Sequence, residues 1–465
     1  MTEILSKMGF GDFYNLAKTY GNGRPLKRIF SLVEKEGCTE IRKSEVEDCR
    51  EWNAEWEIYY QHLNISKKAL KFDFYTAKQE YLGYLILRPS DGTICDSFIH
   101  TPTKRIETSN YFITCKNSLC EIDGIHFIQQ DVKTGRCAHA CLAMVSKNLS
   151  YKTKKTPLTF REIRELSGNT SIPASGLNIN EITDVIKGMG YYSRCYDYLS
   201  EDIPYEPDEI IYQYIESQIP VYVGLRFDDG GHAIIVIGHT FDSNAWWPEA
   251  KLGYYKHEKR FYFKSPIFTD FVIQDDNFGP YLTSPRNFFT RENISKVIVP
   301  LIENFPLYAE EIEDYIVYSF LADFKFHKQM KLNKTIWTDV YLHHLTEDKI
   351  LLRTFLIERD EFIKSIRKSN APQDIKTFYT NPVLFPKMTS DISKFWLIEI
   401  SIPEIFIHKH YRLGEVLINP YEEDWLKAIL SIHLPGVLFA KNPEGRLEEY
   451  LINNDVPYEI ARFPS

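Results

Sequence analysis

The run Cys137-Ala138-His139-Ala140-Cys141-Leu142-Ala143-Met144-Val145 constrains this chain more than any other feature. It holds good helix formers and no breaker, so a helix is predicted from Cys137 to Lys147. That helix is apolar nearly all round, and such a helix is stable only when it is buried among other elements. Gly135, just ahead of it, suits a tight turn into its first residue.

The flanking segments supply the covering elements. Upstream, Trp52, Trp56 and Tyr59 fall at helical spacing within residues 43–60. Glu80 to Leu87 reads as a strand, closed by Pro89 and the Asp91-Gly92 turn. Tyr111 to Thr114 and Gly124 to Ile128 read as further strands. Downstream, Phe160 to Leu166 is a predicted helix stopped by Gly168, and Asn180 to Gly188 places Ile182, Val185 and Ile186 on one face. Glu209 to Gln218 is a third predicted helix. Strands are then predicted at Pro220 to Leu225, Gly231 to Gly238, Phe261 to Phe263 and Phe271 to Gln274. Helices first and sheet second is an α+β order.

Past residue 300, Tyr308 to Lys331 and Asp360 to Lys368 look helical, while Phe395 to Ser401 and Val437 to Lys441 look like strands. At about 150 residues per domain, the length suggests roughly three units. The expected division is a mixed α/β flanking region over 1–123, a core over 124–299, and a C-terminal α+β region of unknown role over 300–465. Tyr and Phe, 30 of each, favour a sizeable sheet content.

Four features of the middle region belong to one kind of chemistry. Cys137 opens the buried helix, and His232 follows a glycine pair on a strand. A later strand ends in Gln274-Asp275-Asp276-Asn277-Phe278-Gly279-Pro280, and Gln129-Gln130 lies shortly before the cysteine. A helix N-terminus and a neighbouring imidazolium both favour a thiolate. The histidine can share the thiol proton and then deliver it to a leaving amine. Asp275 is placed to orient the imidazole, with Asp276 and Asn277 as alternatives. The Cys137 N–H and the Gln130 amide could hold an oxyanion, with Gln129 as the alternative donor.

The string from Gln130 through Gly135-Arg136-Cys137 to Val145 resembles the active-site segment of the bacteriocin-processing, double-glycine leader peptidases, a bacterial branch of the papain-like cysteine peptidases. Members carry a Cys-Gly-x-Ala-Cys-Leu-Ala-Met pattern with the first cysteine as nucleophile, so the resemblance places the nucleophile at Cys137 rather than Cys141. Gly231 to Val236 is similar to the family's histidine strand, Ile273 to Pro280 to its Asp-Pro segment, and Gly176 to Ile182 to its second helix. The likeness covers residues 124–285.

It implies a papain-like core, a helix-bundle lobe plus an antiparallel sheet, between N- and C-terminal α+β flanking regions. It also implies a thiol hydrolase that cleaves a peptide or isopeptide bond through an acyl-enzyme on Cys137, with a peptide or protein as substrate. Two departures stand out. Ala138 replaces the glycine usual after the nucleophile, and Gln130 lies seven residues before Cys137, one more than is usual. They keep a second class in view, a weak or inactive papain-fold binding module. The same triad would equally serve a deamidase or transamidase.

Other classes fit poorly. A net charge of −9 gives no footprint for nucleic acid. No stretch of about 18 apolar residues occurs, so no membrane-spanning helix is expected. Without a basic-then-apolar leader, the default compartment is the cytoplasm, where the eight cysteines should be mostly free. Cys115, Cys120, Cys137 and Cys141 could supply four zinc ligands, but that leaves the histidine and aspartate segments unexplained. Asp275-Asp276-Asn277 lacks the spaced carboxylates of a calcium loop. Neither metal nor cofactor is expected. Cys141, one turn along on the same face as Cys137, reads as inert core packing, His139 as a packing or surface residue on a different side of the helix, and His239 as structural.

Overall fold

Strands β1 (Ile4–Met8), β2 (Cys38–Val46), β3 (Ala69–Thr76), β4 (Tyr81–Leu87), β5 (Ile94–His100), β6 (Ile113–Lys116) and β7 (Glu121–Phe127) form one antiparallel sheet in the order β1-β2-β3-β4-β5-β7-β6. The computed structural model describes residues 4–8, 12, 23–100, 108–109, 113–116, 121–131, 136–170, 176–228, 230–240, 262–264, 268–321, 335–346, 350–385, 392–442, 444–452 and 456–461. Contact density divides the chain into two units. The first comprises Met1–Ile211, Gln218–His239 and Asp270–Glu303, and the second Tyr212–Ser217, Thr240–Thr269 and Asn304–Ser465. Both mix helices with sheets, an α+β architecture. No helix among the described residues is long and apolar enough to cross a membrane.

The first unit holds a second antiparallel sheet. Its strands are β8 (Tyr192–Asp197), β9 (Val221–Phe227), β10 (Gly230–Thr240), β11 (Asp270–Asp275), β12 (Gly279–Pro285) and β13 (Ile294–Leu301), in the order β12-β11-β10-β9-β13-β8, with residues 108–109 paired to β10. Helices α1 (Gly23–Lys35), α2 (Arg50–Glu55), α3 (Cys137–Thr153), α4 (Phe160–Ser167) and α5 (Ile179–Gly188) accompany the two sheets. Helix α3 packs against β7, β9, α4 and α5. That explains why Ala138 through Ser146 are all buried and why the run tolerates no charge. Capping boxes start α4 at Thr159–Glu162 and α5 at Asn178–Glu181, and Gly168 ends α4 in the left-handed conformation.

Polar groups tie the first sheet to α3. Asp96 on β5 accepts from His126 Nδ1 at 3.0 Å and from Lys147 at 2.6 Å, and His126 Nε2 reaches the Tyr151 hydroxyl at 2.7 Å. The Tyr281 hydroxyl on β12 accepts from the Ile125 N–H and donates to the Ile99 carbonyl, which joins the second sheet to the first. Residues 43–60 are only partly the predicted helix: Lys43 to Val46 belong to β2, and the helix starts at Arg50 and widens into a π-helical turn over Trp56–Tyr60. The helical spacing of Trp52, Trp56 and Tyr59 holds, while pairing with both β1 and β3 draws Lys43 to Val46 into β2.

The second unit is built on strands Tyr262–Lys264, Ile350–Glu358, Lys394–Ser401, Gly414–Ile418, Ile429–Leu434, Val437–Lys441 and Leu447–Leu451, in that order, with the first pair parallel and the rest antiparallel. Arg353, Glu399, Glu415 and His433 are direct partners on four successive strands, all buried. Arg353 bridges Glu399 and Glu216, and Arg412 bridges Glu399 and Glu415. The helices predicted over 308–331 and 360–368 occur as Ala309–Ile316, with a π-helical turn to Leu321, and Arg359–Lys368; residues 322–331 lie outside the described set.

Arg88 at the end of the first sheet is fully buried and satisfies several partners at once. It binds Glu55 at 3.0 and 3.2 Å and donates to Thr93 Oγ1 and to the Ile94 and Gln129 carbonyls, each at 3.1 Å. Arg88→Met keeps the bulk but leaves a buried carboxylate without its cation. It is expected to lower unfolding stability by about 3–5 kcal/mol, read by urea denaturation. A midpoint equal to wild type would show that Glu55 does not depend on this partner.

Candidate active site

Cys137 is the first residue of α3, and its side chain is half-buried. The preceding Arg136 is extended, at φ −131° and ψ 171°, and no side chain caps this end of the helix. The first N–H groups of α3 therefore point out beside the sulfur without a side-chain acceptor. Cys141, one turn along, is fully buried; burial pushes its thiol well above the usual range, with the Asp276, Cys137 and Asp275 charges adding to the effect. Two cysteines one helical turn apart thus differ sharply in access.

His232 comes from β10, which runs between β9 and β11, so the strand that carries Asp275 is its neighbour. His232 Nε2 lies 3.1 Å from Asp275 Oδ2 and 3.8 Å from Asp276 Oδ1. The Asp275 pair is in charge contact, although Nε2 is not aligned for a full hydrogen bond. With Nε2 facing the carboxylates, Nδ1 is the nitrogen left for the Cys137 sulfur, which lies close enough to the ring to favour its charged form. Burial opposes protonation of His232, but Asp275 and Cys137 outweigh it and raise the imidazole to about 10. Asp275 is itself held in place: its Oδ1 accepts the Asn277 N–H at 2.8 Å.

The two glutamines separate by their bonds. Gln129 is buried, and its Oε1 accepts the Ile94 N–H while its own N–H donates to the Ile94 carbonyl. Gln130 is half-exposed, and its Nε2 donates to Asn277 Oδ1 at 3.4 Å. The structure therefore gathers Cys137, His232 and Asp275 around one point, with Gln130 and Asn277 beside it and Gln129 committed to the sheet. His139 is fully buried, and burial first, then the Arg164 charge, hold it down to about 4. Gly135, Cys120 and Asp229 lie outside the described residues.

Sequence reasoning passed over helix α1, whose Arg28 donates to the Pro280 and Tyr281 carbonyls just after the aspartate loop. The signal was present: Leu26, Ile29, Leu32 and Val33 form a helical apolar face opposite Arg24 and Lys27. Gly279 permits the contact. It sits at φ 122°, and a Cβ there would come within 2.7 Å of the Arg28 side chain and 3.2 Å of Pro25. His232, Asp275 and Asp276 offer three ligand atoms within 4.8 Å of one another, so this cluster could also hold a divalent cation.

Asp276 is fully buried, and neither carboxylate oxygen completes a hydrogen bond. Burial raises it to about 7, the His232 charge opposing and the Asp275 charge adding to the rise. Between about pH 4 and 7 the folded protein keeps a proton that the unfolded chain has released, so this group's contribution to stability falls as pH rises through that window. Asp276→Asn should therefore melt higher than wild type at about pH 8 and gain little at about pH 4. A gain of equal size at both would show that Asp276 is ionised throughout.

No known family's sequence profile matches the chain, and no curated protein matches it. Among solved structures it is similar to the crystal structure of a double glycine motif protease from an AMS/PCAT transporter in complex with the leader peptide, at 17% identity and a TM-score of 0.23, over 38% of this chain and 90% of that one.

Proposed function

We propose that the chain is a thiol hydrolase of the papain-like kind, a cysteine peptidase that cleaves a peptide or isopeptide bond in a peptide or protein substrate. In this reading residues 124–299 are the hydrolase core, and 1–123 and 300–465 flank it. The observation that carries it is the approach of His232 to both Cys137 and Asp275 at the uncapped start of a buried helix. The Cys137 thiolate attacks the carbonyl carbon, and the oxyanion takes up the Cys137 N–H and the Gln130 amide. His232 gives its proton to the leaving nitrogen as the C–N bond breaks. It then takes a proton from water, whose oxygen displaces the thiolate from the thioester.

One observation favours the binding-module reading: the Gln130 amide is turned to Asn277 and must be released before it can serve an oxyanion. The oxygens of Asp276, which complete no hydrogen bond, favour a cation on the same cluster. Activity that survives a chelator excludes a required cation, and activity lost on chelation reassigns the cluster to metal chemistry. Product analysis separates hydrolysis from deamidation or transamidation.

Cys137→Ala is expected to abolish both turnover and labelling by a thiol-directed acyl electrophile, whereas Cys141→Ala keeps both. Equal labelling of the two variants would sink the assignment. His232→Ala should lower kcat/KM by about 10²–10⁴-fold. Because the imidazolium persists to about 10, the alkaline limb of activity should lie near that value. Asp275→Asn removes a charge that raises His232, so the alkaline limb should move to lower pH. A limb that stays in place would show that Asp275 does not orient the ring.

A further inference from the structure

A cavity of about 730 Å³ opens beside Gln130, between the first turn of α1 and the Asn277–Phe278 loop. Its size falls within the range of about 300–1,000 Å³ common for ligand sites. Three cationic side chains line it, Arg24, Lys27 and Arg136, against one acid, the buried Asp131; Asp131 and Arg136 each already have a partner, which leaves Arg24 and Lys27 to carry the excess. This local excess of positive charge runs against a chain whose net charge is −9. Arg24 and Lys27 lie three residues apart and share a helix face, and the first turn of α1 carries no acidic residue. The Arg24 guanidinium lies 5.0 Å from the centre of the exposed Phe278 ring, which holds it at the rim.

The cationic wall is built into the site. Arg28, on the same helix, is bonded to the Pro280 and Tyr281 carbonyls, and only a glycine at 279 allows α1 to come so close to the loop. The third cation, Arg136, directly precedes Cys137 in the chain, and Gln130 and Asn277 also line the cavity, so it adjoins the candidate active site.

We infer that this cavity is a carboxylate-binding subsite and that the substrate is an acidic peptide segment, with Asp or Glu side chains seated against Arg24, Lys27 and Arg136 beside the cleaved bond. The inference rests on the hydrolase reading for the position of that bond, while binding of the acidic segment can be measured without it. Arginine favours carboxylates through paired N–H donors, and lysine adds a point charge.

The test uses the full chain carrying Cys137→Ala and two probes, a fluorescein-labelled hexaglutamate peptide and its hexaglutamine counterpart. Fluorescence anisotropy at low salt is expected to show about tenfold tighter binding of the glutamate peptide. That advantage should shrink as salt is raised. Arg24→Glu combined with Lys27→Glu should abolish it, and Arg24→Lys combined with Lys27→Arg, which keeps both charges, should retain it. Equal binding of the two peptides by the Cys137→Ala chain overturns the inference, as does an advantage that survives charge reversal. Turnover of peptides by the unsubstituted chain with no preference for acidic residues also overturns it, and leaves the hydrolase reading standing. Acid-selective binding with no turnover supports the subsite and removes the hydrolase reading alone.

Discussion

Everything in the first unit follows from the need to bury α3 on all sides. A helix with one apolar stripe can lie on a surface, but Ala138 to Ser146 leave no side suited to water. The chain covers this helix with β7 of one sheet, β9 of the other, and helices α4 and α5. One consequence is positional. The uncapped N-terminus of α3 has to emerge somewhere, and it emerges where β10 and β11 present His232 and Asp275. Burial of the helix body and exposure of its first residue are two results of a single packing arrangement.

The electrostatics of the site rest on an imbalance. One imidazole faces two carboxylates, and only Asp275 is fastened by a hydrogen bond from the backbone. Asp276 lies deeper, and neither of its oxygens completes a hydrogen bond. Burial opposes charge on His232, but Asp275 and the Cys137 sulfur outweigh it, whereas on Asp276 burial prevails. Helix α1 then sets the surroundings, because Arg28 and Gly279 bring its basic face up to the same loop that ends in Asn277 and Phe278.

Much of this arrangement was legible in local pattern. The continuous apolar run announced α3, the glycine pair and following aliphatic residues announced β10, a glycine stop marked the end of α4, and a one-sided apolar pattern marked α5. What pattern could not supply was partner choice. Gln129 and Gln130 are identical in kind and adjacent in sequence, and only the pairing of Ile94 with Gln129 separates a structural amide from one at the site. The choice among Asp275, Asp276 and Asn277 likewise depends on distances to His232 that follow from strand register. Strands β2, β3 and β5 escaped notice because they mix charged with apolar residues, and their stability comes from neighbours far along the chain.

The row formed by Arg353, Glu399, Glu415 and His433 in the second unit bears on how that sheet is assembled. Aliphatic neighbours such as Ile398, Ile400, Val416 and Ile432 would pack tolerably in more than one alignment. The charged row would not. A slip of one residue at any of its pairings turns a strand inside out and sets a desolvated ion against hydrocarbon. With Arg412 joining the two central carboxylates, the four residues act as a checksum on assembly: a mispaired sheet is penalised while it is still forming, and the correct alignment is the one in which Glu399 and Glu415 both reach their cations.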